Sequence, residues 1–201
     1  MSAEYRIRRA HPSDAKDIAN AHRDSIRSVG PKFYPPSVVA DWGEGLTPAL
    51  YVKAMEGGEV FFVAVGQIDN EPAVLGFATH RINDAQDGGS VYVSGAATRH
   101  GIGSALWRTV EAHAVAKGAT SVQVEASLAG VEFYKANGFE VIGRGETLLM
   151  SGRPIAFVFM RKALTKPYQF AIERHAHPGI IGDCAFQVFS DDDRQAHIGF
   201  T

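Results

Sequence analysis

Residues 91–106, V-Y-V-S-G-A-A-T-R-H-G-I-G-S-A-L, constrain the chain more than any other segment. The β-branched and aromatic run Val91-Tyr92-Val93 predicts a strand. Small residues follow, then the cationic pair Arg99-His100, then two glycines around Ile102. Apolar residues at helical spacing come next: Ile102, Leu106 and Val110. A strand therefore runs into a tight loop that opens a helix. The first turn of a helix holds N–H groups without intrahelical acceptors, at the positive end of the macrodipole. Gly101 and Gly103 allow an anion to approach that backbone closely. The N–H groups of Arg99, His100, Gly101, Ile102, Gly103 and Ser104 are thus the expected cradle of a pyrophosphate.

Around this segment the pattern alternates between strand and helix. Residues 4–10 read as a first strand. After His11-Pro12, Ser13 is the expected N-cap of a helix that runs to about Ser28. Helical stretches follow at 37–42 and from Pro48 to Glu56, the latter ended by Gly57-Gly58. The apolar run Val60–Val65 predicts a strand buried on both faces. Asp69-Asn70 turns it into a partner, 73–82, and a polar loop leads to a strand at 90–97. The helix after Gly101 ends at about Lys117, capped by Gly118. Val122 and Val124 mark another strand. A short helix spans 130–137, stopped by Gly138, and strands at 139–149 and 154–162 close the pattern. The order predicts an α/β (α+β) domain with a mixed sheet and helices on its faces.

Three phosphate-binding readings compete for the Gly101 loop. A nucleotide-triphosphate loop requires Lys and then Ser or Thr after its last glycine, but Ser104-Ala105 follows Gly103. A dinucleotide fingerprint requires a small residue at the place of Leu106 and a strand early in the domain. The third reading comes from resemblance. The segment 91–106 resembles the strand-loop-helix motif of the GNAT family of N-acetyltransferases, in which (Gln/Arg)-x-x-Gly-x-(Gly/Ala) binds coenzyme A. Thr98 stands at the Gln/Arg position. Residues 126–141, A-S-L-A-G-V-E-F-Y-K-A-N-G-F-E-V, resemble the later motif of that family with its Phe-Tyr-x-x-x-Gly-Phe core. Met160-Arg161-Lys162-Ala163-Leu164 resembles a common family ending.

The resemblance covers roughly residues 4–164, with 165–201 as a C-terminal extension. It implies the acyl-CoA N-acyltransferase fold: a mixed, mostly antiparallel sheet of about six to seven strands flanked by helices. It further implies acetyl-CoA as co-substrate and an amine acceptor that attacks the thioester directly in a ternary complex. Val91, Tyr92 and Val93 then lend backbone groups to the pantetheine arm, and Ser127 stands where the family often carries an Asn contact. A β-bulge around 91–97 would turn N–H donors toward the thioester carbonyl. Tyr134 aligns with the tyrosine that assists departure of the thiolate. A non-catalytic acyl-CoA-binding module on the same fold is the alternative.

A lysine-like amine, with a pKa of about 10.4, is mostly protonated at pH 7, so a base or water chain must take its proton. Glu125, beside the second motif, and His80, on the strand after Gly76, are the candidates. Phe33, Tyr34 and Trp42 are the candidate acceptor-pocket residues, with a core role equally open. No metal is expected: His175, His177, Asp183, Cys184 and His197 fit no ligand pattern. The apolar stretch Cys184–Phe189 is free to pack on the domain, cover the acceptor cleft, or pair in a homodimer.

The net charge of −2 offers no footprint for nucleic acid or an anionic membrane. The charged segment Met1–Arg9 has no apolar leader, and no run approaches membrane-spanning length. Cys184 is the single cysteine, so no intrachain disulfide can form. These features point to the cytoplasm. They do not name the acceptor.

Overall fold

Alternating side chains start the sheet at β1 (Arg6–Arg9) of the computed structural model, which describes residues 4–83 and 86–164. Pro12–Asp14 then form one 3-10 turn before α1 (Ala15–Val29). The expected Ser13 cap is not made: Ser13 lies inside this turn, and α1 begins after Asp14, which makes no side-chain cap. Its carboxylate accepts both guanidinium N–H groups of Arg8, at 2.7 and 2.8 Å, and the His11 N–H at 2.8 Å.

Prolines open α2 (Pro36–Glu44) and α3 (Pro48–Glu56), where a missing N–H costs nothing. A hairpin joins β2 (Val60–Ile68) to β3 (Glu71–Arg81), with Asp69 and Asn70 both at positive φ as the tight turn demands. Next come β4 (Gly88–Val93), α4 (Ile102–Ala116), β5 (Ser121–Ser127), α5 (Val131–Ala136), β6 (Glu140–Leu148) and β7 (Pro154–Ala163). The seven strands lie in the order β1-β2-β3-β4-β5-β7-β6. Every neighbouring pair is antiparallel except β4 and β5. The expected mixed, mostly antiparallel sheet is therefore present.

Helices cover both faces. On one, Ile102, Leu106, Trp107 and Val110 of α4 pack on Val122, Val124, Val158 and Met160. Trp107 and Leu106 are wholly buried, and each such side chain stabilises the fold by roughly 1.5–3 kcal/mol. On the other, Ile18 and Ala19 of α1 and Tyr51 of α3 meet Phe61, Val63 and Phe77. A third cluster joins Ile26 and α2 to Ile155 of β7 through Tyr34 and Val39.

The parallel junction is the feature that positions the site. The ladder between β4 and β5 is in register at one pair only, Gly88 and Gln123. Beyond it the two strands part. Strand backbone groups alternate in direction. Ser94 donates its N–H to Leu75 of β3 at 2.8 Å. Tyr92 therefore also faces β3, while the N–H and C=O of Val91 and Val93 turn to the opened side. Two expectations change here. The strand predicted over 90–97 ends at Val93, and Gly95–Ala97 form a 3-10 turn. The β-bulge expected around 91–97 is also absent from β4. The ladder shifts instead between Ala64 and Val65 of β2, opposite Gly76 and Val74 of β3. Divergence from β5, not a bulge, frees the β4 backbone.

No helix among the described residues is long and apolar enough to cross a membrane. The expectations placed on 165–201, including His175, His177, Asp183, Cys184 and His197, lie outside the described residues.

Candidate active site

The loop expected to form the cradle takes its shape from backbone conformation. Arg99 and Gly101 both adopt positive φ, at 67° and 78°, with His100 between them. For Arg99 this left-handed conformation is uncommon. Alternation of this kind folds successive N–H groups into a concave nest suited to an anion. α4 starts immediately at Ile102, and its first-turn N–H groups join that nest. Arg99 and His100 are exposed and Ile102 is core, so the cations are available while the isoleucine anchors the turn. Thr98 spends its hydroxyl on Gly95, donating to the carbonyl at 2.8 Å.

Gly103 has a packing role besides the expected close approach of a ligand. A Cβ there would meet the Phe133 ring at 3.0 Å and Val93 at 3.5 Å. It is small because α5 packs against it. Gly95 is small for a similar reason: a Cβ would collide with Ser28 of α1. Asp24, one turn earlier on α1, accepts the Gly95 N–H at 2.8 Å and the Ser94 hydroxyl. α1 thus clamps the turn that leads into the cradle.

Tyr134 stands at the opened seam. Its ring lies among Trp107, Phe133 and Phe139, with centroids 5.8, 5.1 and 5.1 Å away. Its phenol faces the backbone of Val91. Burial, reinforced by nearby Tyr92, pushes the phenol far above its ordinary range, and the Val91 hydrogen bond offsets this in part. Tyr134 is therefore a proton-bearing donor at every physiological pH. Ser127 ends β5 half-buried. Its hydroxyl and the Tyr134 ring both lie 3.5 Å from where a Cβ on Gly130 would sit.

Tyr92 faces α1 instead. It stacks on Phe77 at 5.4 Å and lies 3.6 Å from the His22 ring. Burial, then Tyr34 and Glu125, raises its phenol to about 12. Tyr34, Glu125 and Tyr134 are thus each within electrostatic reach of Tyr92. Glu125 is exposed on β5, on the side opposite Val124 and Ala126.

His80 is not part of this group. It is fully buried beneath α4, with Nδ1 2.9 Å from Nδ1 of His113 and Nε2 3.0 Å from an Asp87 oxygen. Both ring nitrogens are engaged and the ring is away from the seam, which weighs against His80 as the base. Phe33, Tyr34 and Trp42 do not form one wall either. Phe33 is 49% exposed, whereas Tyr34 is 7% exposed in the core. Trp42 packs edge-on between Tyr34 and Phe157. The Tyr34 hydroxyl donates to the Ala156 carbonyl at 2.8 Å and accepts the Leu128 N–H at 2.7 Å. Tyr34 ties α2, β7 and the β5–α5 turn together. A groove of about 540 Å³ does run along α2, between Arg27 and Glu44, but none of the three aromatics lines it.

Sequence reasoning missed Asp24 and the role of His22. The Asp24 contact spans about seventy residues of chain and leaves no local signal. His22 carries no local signal beyond its place within the expected helix that runs to about Ser28. It is buried, with Nδ1 2.9 Å from the Tyr51 hydroxyl, and its Nε2 has no hydrogen-bond partner among the described residues. Burial, then the charge of Arg23, lowers its pKa to about 3. The unfolded chain takes up this proton near pH 6.5 and the folded one does not. Stability is therefore complete above pH 6.5 and falls as pH drops toward 3. Lowering pH from 6.5 to 5 is expected to remove on the order of 1–2 kcal/mol of stability. Denaturant titrations of the wild type and of His22→Gln at both pH values check this: the variant loses that pH dependence.

A mixed sheet opened between two parallel strands, with an anion nest at one mouth and a buried phenol in the seam, defines an acyl-CoA N-acyltransferase. The model of the GNAT acetyltransferase domain matches residues 32–164, about two-thirds of the chain. The chain belongs to the GNAT family and is an acetyl-CoA-dependent N-acetyltransferase. Similar solved structures agree in fold. A GCN5-related N-acetyltransferase from Rhodopseudomonas palustris is 23% identical, with a TM-score of 0.69, over 82% of this chain and 98% of that one. The PaiA N-acetyltransferase from Thermoplasma acidophilum, solved with coenzyme A, is 18% identical, with a TM-score of 0.63, over 80% and 99%. A phosphinothricin acetyltransferase from Sinorhizobium meliloti, solved with acetyl-CoA, is 25% identical, with a TM-score of 0.56, over 86% and 97%. No curated protein sequence matches the chain.

Proposed function

We propose that the enzyme moves the acetyl group of acetyl-CoA directly to a primary amine of a second substrate, both bound at once. The observation that carries this reading is the opened β4–β5 seam, with the backbone of Val91 and Val93 on one side and the Tyr134 phenol within it. The nest at Arg99–Ser104 takes the pyrophosphate, and Arg99 and His100 supply positive charge. The pantetheine arm then lies along β4 and makes the hydrogen bonds that β5 does not. Ser127 stands beside the same path. The thioester carbonyl accepts a β4 N–H, which offsets the negative charge that grows on its oxygen as the amine adds.

Collapse of the tetrahedral adduct breaks the C–S bond and leaves the electron pair on sulfur. A thiol has a pKa of about 8.5, below that of any tyrosine. Tyr134, pushed still higher, therefore stabilises the thiolate by hydrogen bonding and retains its proton. Glu125 is the remaining candidate to take the amine proton, through water, from the side of Tyr92. Glu125→Gln is expected to lower kcat/KM about 100-fold at pH 7. It should also steepen the rise of activity with pH, because the variant relies on amine that is already neutral. Equal pH profiles for variant and wild type remove Glu125 from the mechanism.

The overall reading is tested by calorimetric titration with acetyl-CoA together with thiol release across a panel of small amines, amino acids, aminoglycosides and peptide N-termini. Transfer to at least one class is expected. Tight binding with no release on any of them overturns catalysis and leaves an acyl-CoA-binding module.

A further inference from the structure

Of the seven large hydrophobic side chains that stand exposed among the described residues, four fall within ten residues of chain: Val141, Ile142, Leu148 and Met150. They lie on or just beyond β6, the last strand of the sheet. Its outer edge has no ladder partner among the described residues. A nine-residue strand with a bare edge and exposed apolar side chains is a ready template for pairing.

The direction of its free backbone groups can be worked out. Leu149 donates to Arg153 of the neighbouring strand segment at 2.9 Å, so Gly145 and Thr147 also face β7. The opposition of Leu148 to Pro154, which has no N–H to give, agrees with this. Arg144, Glu146 and Leu148 therefore turn their N–H and C=O groups outward. Their side chains are all exposed, and neither Arg144 nor Glu146 has an ion-pair partner among the described residues.

We propose that β6 is the seam of a homodimer, in which two copies pair antiparallel about a twofold axis at Gly145 and join their sheets edge to edge. Outward-facing residues of one copy must oppose outward-facing residues of the other, which leaves few registers. Centring on Arg144 sets two arginines face to face, and centring on Glu146 sets two glutamates face to face. Centring on Gly145 sets Arg144 against Glu146 of the second copy, and Glu146 against its Arg144. Leu148 then lies toward Ile142 of the second copy, at the point where β6 shifts register against β7. The closely spaced, non-hydrogen-bonded position on the axis falls to glycine, which has no side chain to clash. The regular part of the strand is self-complementary in charge in this register alone.

The test is the mass of the full chain by sedimentation and by light scattering across a dilution series, for four proteins. The wild type is expected at twice the chain mass. Arg144→Glu and Glu146→Arg each create two like-charge contacts across the axis and are expected to run as monomers, with unchanged circular dichroism and a melting temperature that no longer depends on protein concentration. The double variant Arg144→Glu/Glu146→Arg restores both opposite pairs and is expected to return to the dimer. A monomeric wild type overturns the proposal. So do single variants that remain dimeric, whether another face or residues 165–201 hold the copies together. Folded single variants that the double variant fails to rescue overturn the register.

Discussion

Tyr134→Phe is expected to lower kcat by about 10²- to 10³-fold, with KM for acetyl-CoA changed by no more than about twofold. The substitution removes one oxygen. The ring that contacts Trp107, Phe133 and Phe139 remains, so the packing that supports α5 survives. The lost atom faces Val91 at the opened seam, where the thioester sulfur comes to lie in the proposed complex. Before attack the sulfur is a neutral thioester and gains little from a phenol. After attack it carries a full charge in a site where burial strongly disfavours ionisation, and one donor there is worth several kcal/mol. The effect therefore falls on kcat and spares ground-state binding. Because the phenol is raised, wild-type kcat is also expected to show no falling limb from tyrosine ionisation up to about pH 10. Steady-state thiol release at saturating amine measures both. A kcat equal to wild type removes the phenol from the reaction, and a large rise in KM with kcat intact makes it a binding residue only.

What the sequence disclosed about this site followed from how local each feature is. The strand-loop-helix around Gly101 was legible because its three parts are written in consecutive residues, and positive φ at Gly101 is what a glycine in that place announces. The short helix that carries Tyr134 was legible from Gly130 and Gly138 at its ends. The Asp69-Asn70 turn was legible because few other dipeptides accept two positive φ values. Gly103 has a second reason to be small that the sequence did not show: a small residue beside a phosphate and a small residue beneath Phe133 look the same in a sequence. The separation of β4 from β5 had no signal, since it depends on what neither strand touches. Tyr34 illustrates a further limit. Its place in an aromatic cluster was visible, but the two hydrogen bonds that fix its role reach Leu128 and Ala156, more than ninety residues away. Period-two alternation assigns a side chain to a face and says nothing of which end of the strand meets the ligand. His80 fell to that limit.

His80→Ala is expected to destabilise the domain by about 3 kcal/mol, yet to leave kcat of the folded enzyme within about twofold of wild type. The imidazole is wholly buried between the Asp87 carboxylate and His113 of α4, at 3.0 and 2.9 Å. Removing it deprives a largely buried carboxylate of a hydrogen-bond partner and opens a cavity where α4 meets β3. Both effects are costly in a close-packed interior. For a domain of this size, the loss corresponds to a fall in melting temperature of about 6–12 °C. The reaction is not expected to depend on this ring, because His80 pairs with Gly89 in the β3–β4 ladder, at the end where β4 still meets β5. The seam opens beyond it, toward Val91 and Val93. Thermal melts and single-temperature kinetics well below the transition separate the two effects. A variant with an unchanged melting temperature and a kcat reduced 100-fold would place His80 back in the chemistry. It would also require the seam to extend along β4 past Gly89, which the Gly88–Gln123 pairing closes.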